Sequence, residues 1–185
     1  MEIILGSQSP RRRELLAGMG VTFTAVNIHA DESFPADLHG ADIPLYISRA
    51  KAEAYRSNLL PGQLLITADT IVWVDGEQLG KPVDETDAVR MLRLLSGKTH
   101  QVFTGVTLTS LDKQTSFADT TDVTFRAMTE EEIAHYVSVY RPLDKAGAYG
   151  IQEWIGYVAC TSLKGSYFNV MGLPTEKLYE ALQAF

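Results

Sequence analysis

Short apolar runs alternate with stretches of helical periodicity along the whole chain, and no fixed-period repeat or low-complexity linker interrupts them. That alternation admits few folds. Strands that each precede a helix favour a parallel sheet with helices against its faces, and hairpin signals add antiparallel pairs. Residues 2–6 read as a short buried strand. A helix follows from Pro10 to about Ala17, with Ser9 as N-cap and Gly18 and Gly20 as its stop. Residues 22–28 read as a second strand, and 29–42 as a long polar loop. A helix is predicted from about Pro44 to Asn58, with Ile43, Ile47, Ala50 and Ala54 at helical spacing. Leu64–Ala68 is a strand, and Ile71–Val74 runs extended into an Asp75-Gly76 turn. Asp84 caps a helix to about Ser96. Two long strands, 102–109 and 117–126, flank a hairpin connection. Thr129 and Glu132 fit a capping box for a helix to about Val139. Residues 154–163 read as a last strand, and 174–184 as a closing helix. The expectation is one α/β unit spanning 1–185, a mixed β-sheet flanked by helices.

Composition bounds the function classes. The 185 residues are 45% hydrophobic and 21% charged, as in ordinary globular domains. No apolar run approaches the roughly 20 residues of a membrane span, and no signal-peptide apolar region opens the chain. The single cysteine excludes an internal disulfide, so a cytoplasmic protein is expected. A net charge of −7 disfavours nucleic acid as a partner, because such binding neutralises many phosphates.

Against that acidic background, Arg11-Arg12-Arg13 stands at a helix start behind Gly6-Ser7-Gln8-Ser9-Pro10. Unpaired amides and the helix dipole favour an anion there. Ser7 and Ser9 add hydroxyl donors, and Arg11 and Arg12 add forked cations suited to phosphate. An ordinary capped helix with solvated arginines explains Ser9 and Pro10 well, and the pairing of two serines with two arginines less well. The spacings of a Walker loop and of a dinucleotide fingerprint are both absent. Asp69, read at the end of an apolar strand, can orient a water or hold a divalent ion; a turn aspartate is the bland reading. Lys51 in mid-helix and Lys81 in a loop could each contact phosphate, or be solvated. Glu32 lies in the long polar loop as a possible metal ligand. Gln152 closes a Gly-rich stretch, and its carboxamide suits a nucleobase edge. His29, His39, His100 and His135 show no metal or triad spacing, and Cys160 reads as a small buried hydrophobe.

Six segments in order resemble the Maf family of nucleotide pyrophosphatases: Ser-Gln-Ser-Pro-Arg-Arg-Arg-Glu-Leu-Leu (7–16), Lys-Ala-Glu-Ala (51–54), Ala-Asp-Thr-Ile-Val (68–72), Gly-Lys-Pro (80–82), Lys-Ala-Gly-Ala-Tyr-Gly-Ile-Gln (145–152) and Gly-Ser-Tyr-Phe-Asn-Val-Met-Gly-Leu-Pro (165–174). The resemblance implies a fold like that of the inosine triphosphate pyrophosphatases, two lobes around a cleft, and a homodimer. It implies metal-dependent cleavage of a nucleoside triphosphate to monophosphate and pyrophosphate; the expected ion is Mg²⁺ or Mn²⁺, bound through Glu32 and Asp69. By position, Asp69 matches the family's catalytic base, and Arg11, Thr70 and Gln152 match positions linked to substrate choice. Arg11, Arg12, Lys51 and Lys81 would hold the phosphate chain. The Gly-Ala-Tyr-Gly-Ile-Gln form resembles the branch acting on dTTP and UTP. Two positions depart from the family pattern: Glu153, where glycine is frequent, and Gly6, where alanine is common. Glu153 adds a negative charge beside Gln152. Two rival readings remain, a nucleotide-binding regulator of division without turnover and a phosphatase releasing orthophosphate.

Overall fold

The computed structural model describes residues 1–185. The observed elements are β1 (Glu2–Leu5), α1 (Pro10–Gly18), β2 (Phe23–Ala25), α2 (Asp42–Tyr55), β3 (Gln63–Val74), β4 (Glu77–Leu79), α3 (Glu85–Leu95), β5 (Thr99–Thr109), β6 (Gln114–Phe125), α4 (Glu130–Tyr140), α5 (Trp154–Ala159), β7 (Cys160–Lys164), α6 (Tyr167–Met171) and α7 (Thr175–Ala184). Seven strands form one mixed sheet in the order β2-β1-β3-β5-β6-β7, with β4 paired to β3, and helices flank it. β1 runs parallel to β2 and β3, whereas β3–β4 and β6–β7 are antiparallel. No helix is long and apolar enough to cross a membrane.

The chain packs as two compact units. One comprises 1–70, 104–119 and 172–185; the other comprises 71–103 and 120–171. In the first, Ile4, Ala52, Leu59 and Leu65 pack together, so α2 closes over β1 and β3. The helix comes close enough for Ser48 to share a hydrogen bond with Thr107 at 2.8 Å and to accept one from Thr67 on its carbonyl. Gly105 permits this approach: a Cβ there would meet the backbone of Pro44 and Leu45. In the second unit, Leu92, Leu95, Phe125, Tyr136 and Ile155 are among the residues of a larger apolar cluster.

Local signals set the element ends. Ser9 and Asp84 accept hydrogen bonds from the amides of Arg12 and Asp87, and the Thr129–Glu132 capping box is complete. Asp75 and Gly76 have φ of 51° and 80°, the paired left-handed turn that a two-residue hairpin needs.

The expected strand over 22–28 is shortened to Phe23–Ala25, and the structure differs more at two other segments. Leu64–Ala68 and Ile71–Val74 are one twelve-residue strand, β3, so Asp69 lies within a strand rather than at its end. Asp69 and Thr70 are polar but carry no Gly or Pro geometry, and the backbone ladder runs through them. Residues 154–163 begin as a helix and only then become β7. Ile155 and Ala159 are buried four apart, which is helical spacing concealed by the aromatic and β-branched residues around them. Cys160 at this junction is partly exposed rather than buried.

Candidate active site

The turn from β1 into α1 is self-capped. Ser7 Oγ accepts from the Ser9 amide at 3.2 Å, and Ser9 Oγ accepts from the Arg12 amide at 3.4 Å. Gly6 leads into this turn where a Cβ would collide with Ile28 and reach Thr67 at 3.0 Å, so the glycine lets the turn sit against β3. The serines that sequence reading assigned to an anion thus first shape the turn.

Arg12 and Arg13 diverge. Arg13 Nη2 donates to Gln8 Oε1 at 2.6 Å on the exposed side. Arg12 turns inward, where its Nε donates to Gly172 O at 2.8 Å and its Nη2 to Thr70 Oγ1 at 3.0 Å. Thr70 in turn shares a hydrogen bond with Thr104 at 2.9 Å. Burial lowers the Arg12 pKa and Arg11 adds to that, while Asp69 and Glu32 oppose it. Its first effect is to tie α1, β3 and the Gly172 segment together, which leaves Nη1 for an anion.

Asp69 is held by Lys51. The Lys51 ammonium lies 3.0 Å from Asp69 Oδ1, 2.9 Å from Glu32 Oε1 and 3.5 Å from Ala68 O. Three acceptors match its three N–H donors. The Lys51 and Asp69 side chains are 12% and 14% exposed, against 56% for Glu32. Lys51 is therefore no solvated face residue. It follows Ile47 by four positions, and the buried edge of α2 runs through Ile47, Ser48 and Ala52. That spacing was the available signal; the apolar pattern drawn through Ala50 and Ala54 concealed it. Asp69 Oδ1 is fixed, whereas Oδ2 accepts no hydrogen bond from the protein.

Glu32 and Asp69 reaching one nitrogen gather the oxygen donors that a hard divalent cation takes. No third His, Cys, Asp or Glu joins them. Two carboxylates suit Mg²⁺, which keeps waters and substrate phosphates as its other ligands. The donor set fits the expected ion.

The first unit thus brings together Ser7, Ser9, Arg12, Glu32, Lys51, Asp69 and Thr70, and also contains Arg11. Lys81 and Gln152 belong to the second unit. Lys81 is exposed just beyond β4, and the carbonyl of its neighbour Gly80 accepts from the Gly147 amide at 3.1 Å. Gln152 Oε1 is buried without a hydrogen-bond partner. Glu153 does not present a bare charge beside it, because its carboxylate is taken by Lys145 at 3.1 Å and by the Tyr136 hydroxyl at 2.5 Å. Sequence reading passed over Lys145 and Tyr136; the eight-residue interval between Lys145 and Glu153 hides their contact. His100 belongs to the core: Nε2 meets Tyr149 Oη at 2.6 Å, and burial pushes its pKa down to about 4.

Fold and site together define a mixed α/β protein with a fixed aspartate at the centre of a charged cluster, beside a serine-capped helix start. Its sequence relatives are specific. Residues 2–185 match the family described as Maf-like protein. A Bacteroides thetaiotaomicron protein named dTTP/UTP pyrophosphatase is 60% identical, over 98% of this chain and 95% of its own length. A Porphyromonas gingivalis protein of the same name is 52% identical, over 100% and 94%. The chain belongs to the Maf family. Among solved structures, the Staphylococcus aureus Ham1 protein aligns over 68% of this chain and 72% of its own, with 14% identity and a TM-score of 0.47.

Proposed function

We propose that this chain hydrolyses nucleoside triphosphates, dTTP and UTP among them, at the α–β bond to give a monophosphate and pyrophosphate. The observation that carries the reading is the Asp69 carboxylate, with Oδ1 locked by Lys51 and Oδ2 open, in a chain whose full-length relatives bear the name dTTP/UTP pyrophosphatase. A general base needs this combination of fixed orientation and one accessible oxygen.

Asp69 Oδ2 takes the proton of the attacking water. Arg11, Arg12 Nη1 and Lys81 bind the triphosphate and stabilise the charge that develops on the departing pyrophosphate. Lys51 orients Asp69 through its 3.0 Å contact with Oδ1. Ser7 and Ser9 shape the turn on which Arg11 and Arg12 stand. Arg11, Thr70 and Gln152 select the nucleotide, with Gln152 facing the base. Mg²⁺ or Mn²⁺, held by Glu32 and Asp69, would supply charge neutralisation at the α-phosphate. The family resemblance also supports a homodimer, which light scattering would measure, and a cytoplasmic setting. The acidic chain favours a small nucleotide over nucleic acid as its ligand.

The test is a panel of nucleoside triphosphates assayed for pyrophosphate and for orthophosphate in Mg²⁺ and in Mn²⁺. Pyrophosphate release from UTP is expected, with Asp69→Asn slower by about 10²–10³-fold. Orthophosphate as the product would make the protein a phosphatase. Nucleotide binding without either product would make it a regulator.

A further inference from the structure

The segment Lys145–Gln152 does not hold its shape by itself. Gly147 and Ala148 both have left-handed φ, 69° and 60°, and Ala148 is a buried non-glycine residue in that region. Such a backbone persists only where its surroundings fix it. The ends of the segment are closed by the Lys145–Glu153 ion pair at 3.1 Å. Its middle is pinned from α4, because Tyr136 Oη accepts from the Gly150 amide at 3.0 Å and donates to Glu153 Oε2. One hydroxyl thus links the backbone two residues before Gln152 to the side chain immediately after it. Both Glu153 oxygens are used, and the Lys145 side chain is only 10% exposed. The Gly147 amide extends the same support to Gly80, beside Lys81.

We propose that Tyr136 and Glu153 are positioning residues for nucleotide recognition: they lock the 145–152 segment so that the Gln152 carboxamide is presented in one place. The proposal rests on the reading of Gln152 as the base-facing residue. Gln152 Oε1, buried without a protein partner, is an acceptor that a ligand N–H would satisfy. Dispersing that side chain over several positions would weaken binding, because the ordering cost would then fall on the bound complex. The predicted effect is on KM rather than on kcat, since loss of the Tyr136 hydroxyl leaves the Gly147–Gly80 bond beside Lys81 in place and Asp69 with its lysine belongs to the other unit.

The experiment measures binding of α,β-imido-UTP by calorimetry for the whole protein in Mg²⁺, alongside steady-state pyrophosphate release from UTP. Tyr136→Phe should weaken analogue binding about 10-fold, the scale of one lost hydrogen bond in a buried network. KM should rise by a similar factor, with kcat within about 2-fold. Gln152→Ala should weaken binding too, and Tyr136→Phe/Gln152→Ala should bind no more weakly than Gln152→Ala alone. Glu153→Gln keeps an acceptor for the Tyr136 hydroxyl and should bind more tightly than Glu153→Ala, which keeps a rescue pair available if Tyr136→Phe folds poorly. Effects of Tyr136→Phe and Gln152→Ala that multiply, a fall in kcat at constant KM, equal binding by the two Glu153 variants, or unaltered binding in Gln152→Ala would each overturn the proposal. Absence of pyrophosphate release by the unmodified protein would sink the assigned reaction instead, while the binding arm still decides this one.

Discussion

Replacing Lys51 with methionine keeps the aliphatic stem and removes the charge that joins Asp69 to Glu32. The Glu32 leg is worth little, because that carboxylate is 56% exposed and water replaces the ammonium. The Asp69 leg is different, since both partners are largely covered and the bond is 3.0 Å long. Breaking a fully buried pair costs about 3–5 kcal/mol, and a hydrogen bond to a charged group is worth about 1.5–3 kcal/mol. Arg12 remains near Asp69 and offsets part of the loss. A net destabilisation of about 2 kcal/mol follows, or about 4–8 °C in Tm for a chain of this size. Urea unfolding of the nucleotide-free protein would measure it as a lower midpoint with an unchanged slope. Cycles with Asp69→Asn and with Glu32→Gln should place most of the coupling on the Asp69 leg. A loss within about 0.5 kcal/mol, the range of ordinary surface substitutions, would refute the reasoning and return Lys51 to a solvated helix face.

Stability should fall as pH drops from about 6.5 to about 4, the window over which His100 stays neutral when folded but takes a proton when unfolded. Its depressed pKa means that the unfolded state binds more protons there, at up to about 1.4 kcal/mol per pH unit for one group, and His100→Gln should flatten that part of a stability-against-pH curve. Thr129→Ala removes one half of the capping box and should cost about 1 kcal/mol in urea unfolding. Gly105→Ala places a Cβ against the Pro44 backbone, which cannot swing aside as a side chain could, and should cost more than about 3 kcal/mol or prevent soluble expression; a Tm within 2–4 °C of the parent's, about 1 kcal/mol, would show that α2 shifts freely.

Much of the fold was legible because its punctuation is local. Ser9, Asp84 and Thr129 announce helix starts through contacts three residues long, and Asp75-Gly76 announces its turn through backbone geometry alone. The failures have a common cause. Whether Ala68-Asp69-Thr70 ends a strand depends on the ladder partners of β3, and those come from distant parts of the chain. The 154–163 segment satisfies strand composition and helix spacing together, and its buried contacts decide between them. Long-range pairing, not local propensity, settles such segments.

The site was legible as residue types and not as an electrostatic circuit. Lys51 and Arg12 each read as a charge available to a ligand and Glu153 as a charge beside Gln152, and each is already engaged by the protein. Lys51 closes Glu32 onto Asp69, Arg12 holds Thr70 and Gly172, and Glu153 bridges Tyr136 and Lys145. Engagement changes what each can contribute. A charge held in place loses reach but needs no reorganisation when a substrate arrives, which is the condition under which fixed groups stabilise a transition state best. For Asp69 that condition is met on one oxygen while the other stays open, so under the proposed reaction the lysine would serve to direct the aspartate rather than to compete for phosphate.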